Sequence, residues 1–319
     1  MNIISPIDNL AEADALLDAG ADELYGGYVP EAWQERYSLL ASVNQRTFAG
    51  AQIEGRDDLA AIIAKAHARG KTFSLTLNAP FYSAEQLPLI LDYVDEVAAA
   101  GVDGVILADL GLLRELRRRH PRLEYHASTL AHLMNSEAVK IYASQGIGRV
   151  VFPRHLTVEE MGEVVRQVPD VRFDAFLLVG KCPNTEGLCT FHHSSPDRIW
   201  PCEIPYRISP LQVPASERLL QAMTRQGSWS MTDRRHGCGL CAIPYLRRIG
   251  IGGLKIVGRG APTAQKLKNI ELARDFLRLA DESDDLAVYR RLAMAAHRRR
   301  FGTPCSPNVC YFPKFYQAD

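Results

Sequence analysis

What most restricts the fold of this chain is an alternation repeated along most of its length. A short apolar run is followed by a longer segment whose apolar residues recur at helical spacing. Asn2 to Ser5 is the first run, and LAEADALLDAG follows, with Leu10, Ala13, Leu16 and Leu17 on one helical face and Gly20 as the stop. Further runs cover Asp22 to Gly26, Thr72 to Asn78, Gly104 to Asp109, Leu123 to Ser128, Gly148 to Arg154, Val171 to Val179 and Gly253 to Gly258. Eight such units predict an α/β fold, a (β/α)8 TIM-like barrel, with an open doubly wound sheet as the alternative. The run ends favour the barrel, because Tyr25, Asn78, Asp109, His126, Ser128 and Arg154 put polar groups where barrels carry their sites. Residues 1–265 are expected to form the barrel, and 266–319 a helical extension with a Cys/aromatic tail packed on it. Tyr28 to Gly55 fits least well and reads as a long loop with a short strand over the barrel mouth.

The loop after the seventh run carries the chemistry. Five of the seven cysteines fall between Phe176 and Cys241. Cys182, Cys189, Cys202 and Cys238 come from one loop, about 180–241, and its closing turn, so four thiols can converge on one inorganic centre. Thiolates suit iron–sulfur clusters and tetrahedral zinc. Free cysteines also serve as small core hydrophobes, but Gly180, Pro183, Asn184, Gly187 and Pro201 mark this stretch as loop. The Cys238/Cys241 pair is a CxxC and keeps zinc or a redox dithiol open. Cys305 and Cys310 lie in a tail with Tyr311, Phe312, Phe315 and Tyr316; with Cys241 they read as a second metal site or a redox pair with a spare, or as packed or exposed thiols on a docking segment.

Composition excludes some classes. Lys+Arg and Asp+Glu both number 37, so no net charge draws the protein to a polyanion. The basic runs Arg117 to His120 and His297 to Arg300 fall at helix ends, where cations complement the dipole, and read as solvated faces; nucleic acid is not excluded. The N-terminus lacks a basic region followed by a long apolar run, and no window has the length of a membrane span, so a cytoplasmic protein with reduced thiols is expected.

His126 to Met161, HASTLAHLMNSEAVKIYASQGIGRVVFPRHLTVEEM, resembles the central signature of the peptidase U32 family. LLDAGADELYGG is similar to that family's opening, and GGLKIVGR (Gly252 to Arg259) to its late LKIEGR element. The resemblance covers roughly residues 1 to 260 and extends to members of the UbiU and UbiV type. It implies a 4Fe–4S cluster on Cys182, Cys189, Cys202 and Cys238, the last chosen over Cys241 by its distance from Leu254, with zinc as the less favoured metal. It also implies an oxygen-independent hydroxylase, an oxidoreductase acting on a small, quinone-like or RNA precursor, with prephenate as oxygen donor in some members. A peptidase or hydrolase and a cluster-bearing, non-catalytic subunit of a heterodimer are the alternatives. No GxSxG or HExxH motif supports proteolysis. The chain departs from the pattern at Leu178 to Lys181, where many members carry a histidine and glycine, and at Val257, which replaces a glutamate.

Each candidate residue has a chemical role and a bland alternative. Lys255 and Arg259 offer fixed positive charge to a carboxylate, or are surface cations. His126 is the candidate for proton transfer, or a hydrogen-bonded core histidine. Asp109 and Asn78 would orient a polar substrate, with Ser128 beside them, and Arg154 is a second anion clamp. His192 and His193 would tune the cluster loop or face solvent.

Overall fold

The computed structural model describes residues 1–37, 42–46, 49–182, 186–188, 209–227 and 235–315. Its strands are β1 (Asn2–Pro6), β2 (Glu23–Gly26), β3 (Thr72–Leu77), β4 (Gly104–Leu107), β5 (Glu124–Ala127), β6 (Arg149–Val151), β7 (Arg172–Leu178) and β8 (Gly253–Ile256). They close into a parallel barrel in sequence order, with Asn2, Ile3 and Ile4 of β1 in register with Gly253, Leu254 and Lys255 of β8. The alternation in the sequence is therefore a (β/α)8 barrel, and not an open sheet.

The helices are α1 (Ala13–Asp18), α2 (Glu31–Tyr37), α3 (Arg56–His67), α4 (Leu87–Ala99), α5 (Leu110–Arg119), α6 (Ser136–Ser144), α7 (Val158–Gln167), α8 (Glu217–Gly227), α9 (Ile243–Arg248), α10 (Thr263–Glu282) and α11 (Leu286–Phe301). Their starts follow from side chains that accept the orphan N–H groups of a first turn. Asn135 caps α6, Asp285 caps α11, and Thr157 with Glu160 forms a reciprocal capping box on α7. Apolar faces of these helices bury Leu59, Ile62 and Ile63 of α3, Ile90, Val94 and Val97 of α4, and Leu112, Leu113 and Leu116 of α5 against the strands. Among the described residues no helix is long and apolar enough to cross a membrane.

Three expectations change. The boundary between 265 and 266 falls inside α10, which packs on β1 and α1 as the barrel's own eighth helix. There Lys266, fully buried, donates to Asp8 and to Glu12 Oε1 (2.6 Å), so cutting the chain at that point would leave a buried ion cluster without its cation. The segment after Tyr28 holds α2 and no strand among its described residues; Trp33 of α2 is buried against the rings of Tyr37 and Tyr82. Finally, β4 ends at Leu107 and β6 at Val151, so Asp109 and Arg154 stand in the loops beyond their strands.

Candidate functional site at the barrel mouth

The barrel interior changes character along its axis. At the lower level Arg149 on β6 bridges two other strands, with Nη1 2.6 Å from Oε2 of Glu23 on β2 and Nε 2.5 Å from Oδ2 of Asp174 on β7. Ser74 donates to the other Glu23 oxygen at 2.7 Å. Burial raises the Glu23 carboxyl, but Arg149 and the other partners outweigh it and hold the group below its ordinary value. Glycines make room for these large groups: a Cβ on Gly253 would stand 2.3 Å from Oδ1 of Asp174, and one on Gly104 2.9 Å from Nε2 of His126.

His126 belongs to this lower level. It is 2% exposed, and its Nε2 lies 2.9 Å from Oε2 of Glu124 without the alignment of a hydrogen bond. Burial, then the charge of Arg149, press its pKa down to about 4, so the ring is neutral. Its side chain does not line the mouth cavity. The sequence placed it at a strand end, whereas β5 continues one residue further and turns the imidazole into the barrel.

Above a small apolar group of Ile4, Tyr25 and Ile106 the barrel opens into a cavity of about 170 Å³. Asn78, Ser128, Arg154, Cys182, Lys255 and Arg259 all line it, together with Thr76, Gln45, Arg46 and Glu186. Six of the residues expected from sequence therefore meet in one place. Asp109 does not join them: Oδ1 accepts from the N–H groups of Gly111 (2.7 Å) and Leu112 (3.1 Å) as the cap of α5, and Oδ2 accepts from Tyr82 N (2.8 Å). Its contacts are those of a loop organiser.

The cavity's cations differ in how they are compensated. Arg154 is bound by Glu186 through its guanidinium and its backbone N–H, and its Cζ lies 3.6 Å from the Phe176 ring centroid. Burial lowers the Arg154 pKa, but Glu186, Tyr311 and Cys182 together more than offset this and leave it raised. Arg259 donates Nη2 to Asn44 O at 2.6 Å, while Nη1 is buried with no hydrogen-bond partner among the described residues. Lys255, 6% exposed, has its Nζ 4.2 Å from the Tyr25 ring centroid. Burial brings its pKa down to about 7, against the opposing pull of Glu23 and Asp174. Thr76 Oγ1, Asn78 Oδ1 and Arg154 Nε are also buried without hydrogen-bond partners. Such groups cost about 1–3 kcal/mol each when unsatisfied, so four of them around one cavity describe a site shaped for a polar ligand. Glu186, Gln45 and Arg46 have no signal in the sequence beyond lying in or next to loops, whereas Thr76 has one, as an inward position two residues before Asn78.

Cys189, Cys202, His192, His193 and Tyr316 lie outside the described residues. Cys182 lines the cavity, while Cys238 is buried behind it, tied to the end of β7 by an antiparallel bridge to Leu178 and to the tail by a parallel bridge to Cys310. Burial pushes the Cys238 thiol up, and the Cys241 thiol up to about 12. Cys241 and Cys305 are close enough to Cys238 to interact with it electrostatically, and Cys305 hydrogen-bonds with Cys310. No group of three or more His, Cys, Asp or Glu among the described residues has metal-ligand geometry. In the tail Tyr311 and Phe312 are buried, and the Tyr311 hydroxyl donates to Val179 O beside the cavity.

Residues 8–304 match the sequence model of peptidase family U32. A protein named tRNA hydroxylation protein P from Escherichia coli (strain K12) is 30% identical over 187 residues, which are 59% of this chain and 38% of that protein. The protein of the same name from Haemophilus influenzae (strain ATCC 51907 / DSM 11121 / KW20 / Rd) is 29% identical over 187 residues, 59% and 37% of the two chains. The chain thus spans under two fifths of the length of these curated relatives. A solved U32 peptidase superposes with a TM-score of 0.43 at 15% identity, over 56% of this chain and 69% of its own.

Proposed function

Because this chain belongs to peptidase family U32, we propose that it takes part in tRNA hydroxylation as an oxygen-independent hydroxylase that uses a small anionic donor in the barrel mouth. What supports this reading is the convergence of Arg259, Lys255 and Cys182 on one cavity, in a chain similar to proteins named for tRNA hydroxylation. A cavity of about 170 Å³ suits a small acid, given that an engineered cavity of about 150 Å³ accepts benzene, and prephenate is the donor implied by the resemblance. A polynucleotide would have to present a single base at the rim.

The donor's carboxylate would take Nη1 of Arg259, and its other polar groups Asn78 Oδ1 and Thr76 Oγ1, all of which lack hydrogen-bond partners among the described residues. A guanidinium holds a carboxylate with planar, charge-assisted hydrogen bonds, stronger in a site of restricted water than on a surface. Phe176, Tyr25 and Ile106 give the cavity wall an apolar part. A 4Fe–4S cluster would be held by Cys182, Cys189, Cys202 and Cys238; bound there it supplies one-electron redox chemistry without molecular oxygen. The fit rests on the two described members: Cys182 is at the rim, and Cys238 is anchored to the same end of β7. Proteolysis finds less support, because the described cavity lining contains Ser128 but no histidine to act as its base.

The test has two arms. Nucleoside analysis of tRNA from cells lacking the gene, complemented with the wild-type protein or with Arg259→Ala, should show a hydroxylated nucleoside restored by the first and not by the second. Anaerobically prepared protein should carry iron that is lost in Cys182→Ala and Cys238→Ala and kept in Cys241→Ala. Iron with an unchanged nucleoside profile would replace the hydroxylase by the non-catalytic subunit; loss of iron in Cys241→Ala alone would move the fourth ligand.

A further inference from the structure

Lys255 sits at the floor of the cavity as no simple anion clamp would. Its amine makes no ion pair or hydrogen bond among the described residues, only the contact with the Tyr25 ring. The carboxylates near enough to affect it, Glu23 and Asp174, are both held by Arg149. An uncompensated ammonium at 6% exposure is costly, and a buried lysine relieves that cost by giving up its proton. The amine, once neutral, is a nucleophile facing open space, and Arg259, on the loop after β8, presents an unpartnered guanidinium N–H to the same space.

We propose that Lys255 forms an imine with a 2-oxo carboxylate whose carboxylate is seated on Arg259. An electrophilic carbon directly bonded to an anionic group is the ligand that satisfies both residues within so small a cavity. The lysine lone pair adds to the carbonyl carbon, making the C–N bond, and one amine proton passes to the carbonyl oxygen. The C–O bond then breaks, the oxygen leaves as water with the second amine proton, and the C=N bond forms; no electrons are gained or lost. The Thr76 hydroxyl, buried and without a hydrogen-bond partner among the described residues, lies in the cavity wall and is available to carry a proton between nitrogen and oxygen. Nucleophilic lysines desolvated in this way are an established route to covalent catalysis.

This inference uses the cavity of the proposed function but needs neither iron nor tRNA. The full chain, incubated with pyruvate and sodium borohydride and then mapped by peptide mass analysis, should carry one carboxyethyl group on Lys255. The yield should climb through about pH 7, where this amine loses its proton, whereas a solvated lysine, with its pKa of about 10.4, remains charged there. Arg259→Gln should lower the yield at sub-saturating pyruvate by about tenfold or more, the worth of one charged hydrogen bond. Lys255→Met should abolish the adduct. If that variant does not fold, the map of the wild-type protein still decides: absence of modification at Lys255, or equal modification of exposed lysines such as Lys268, overturns the proposal. Adduct formation without any tRNA phenotype would overturn the hydroxylation reading alone, and the reverse pattern would return Lys255 to the role of a cation.

Discussion

A lysine amine buried at a barrel floor couples the protonation of one residue to the stability of the fold. In the unfolded chain the Lys255 amine titrates at about 10.4; in the folded protein burial brings it to about 7. Between those values the unfolded chain binds a proton that the folded chain does not, so this residue makes stability rise as pH increases from about 7 to about 10. Below that window both states are protonated and the full penalty of burying the charge applies; above it neither state is charged and the penalty is gone. The urea midpoint of the wild-type protein should therefore rise relative to that of Lys255→Met as pH is taken from 7 to 9, other groups cancelling in the difference. A pH-independent difference would mean that the folded protein keeps the ammonium charged, through a partner outside the described residues. His126 is shifted in the same direction, and its burial beside Arg149 takes its titration below neutrality.

Among the elements, α5 shows how a polar residue at a strand end can serve the backbone. Asp109 was a candidate for chemistry because it follows an apolar run, yet its oxygens accept from Gly111, Leu112 and Tyr82 N–H groups. Asp109→Ala should cost about 1 kcal/mol, as expected for a lost N-cap, and more if the Tyr82 N–H stays buried. Asp109→Asn should recover most of that loss in a denaturant titration. A fall in turnover in Asp109→Asn with stability intact would restore the carboxylate to the site. Several cations of the two basic runs have local partners. At the end of α5, Arg118 pairs with Glu115 and Arg119 with Asp95, while on α11 Arg300 donates to Asn269 and stacks on Phe301.

For the whole molecule, the lower interior of the barrel works as a cross-brace. Arg149 ties β6 to β2 across the barrel and to β7 beside it, and all three charged side chains are 6% exposed or less. Arg149→Met should cost about 3–5 kcal/mol, because two buried carboxylates lose their cation, whereas replacing Arg149, Glu23 and Asp174 together by apolar residues of similar volume should recover much of it. Equal destabilisation in the single and triple variants, measured by chemical denaturation, would show that strand geometry and not charge compensation sets the cost. The sequence by itself determined the number and order of the strand–helix units, since apolar periodicity is a local property of the chain. It also determined that Asn78, Ser128, Arg154 and Cys182 lie at strand ends or in the loops beyond them, the parts of a barrel that form its mouth. Only the tertiary structure decided which way each side chain points and what it meets there. Closure of the barrel sends His126 downward into the Arg149 layer, gives Asp109 to a helix cap, pairs Arg154 with Glu186, and leaves Arg259 Nη1 and the Lys255 amine facing the cavity. It also brings Cys310 alongside Cys238 from seventy-two residues away. Those outcomes depend on contacts between residues distant in the chain, and no spacing within a single segment encodes them.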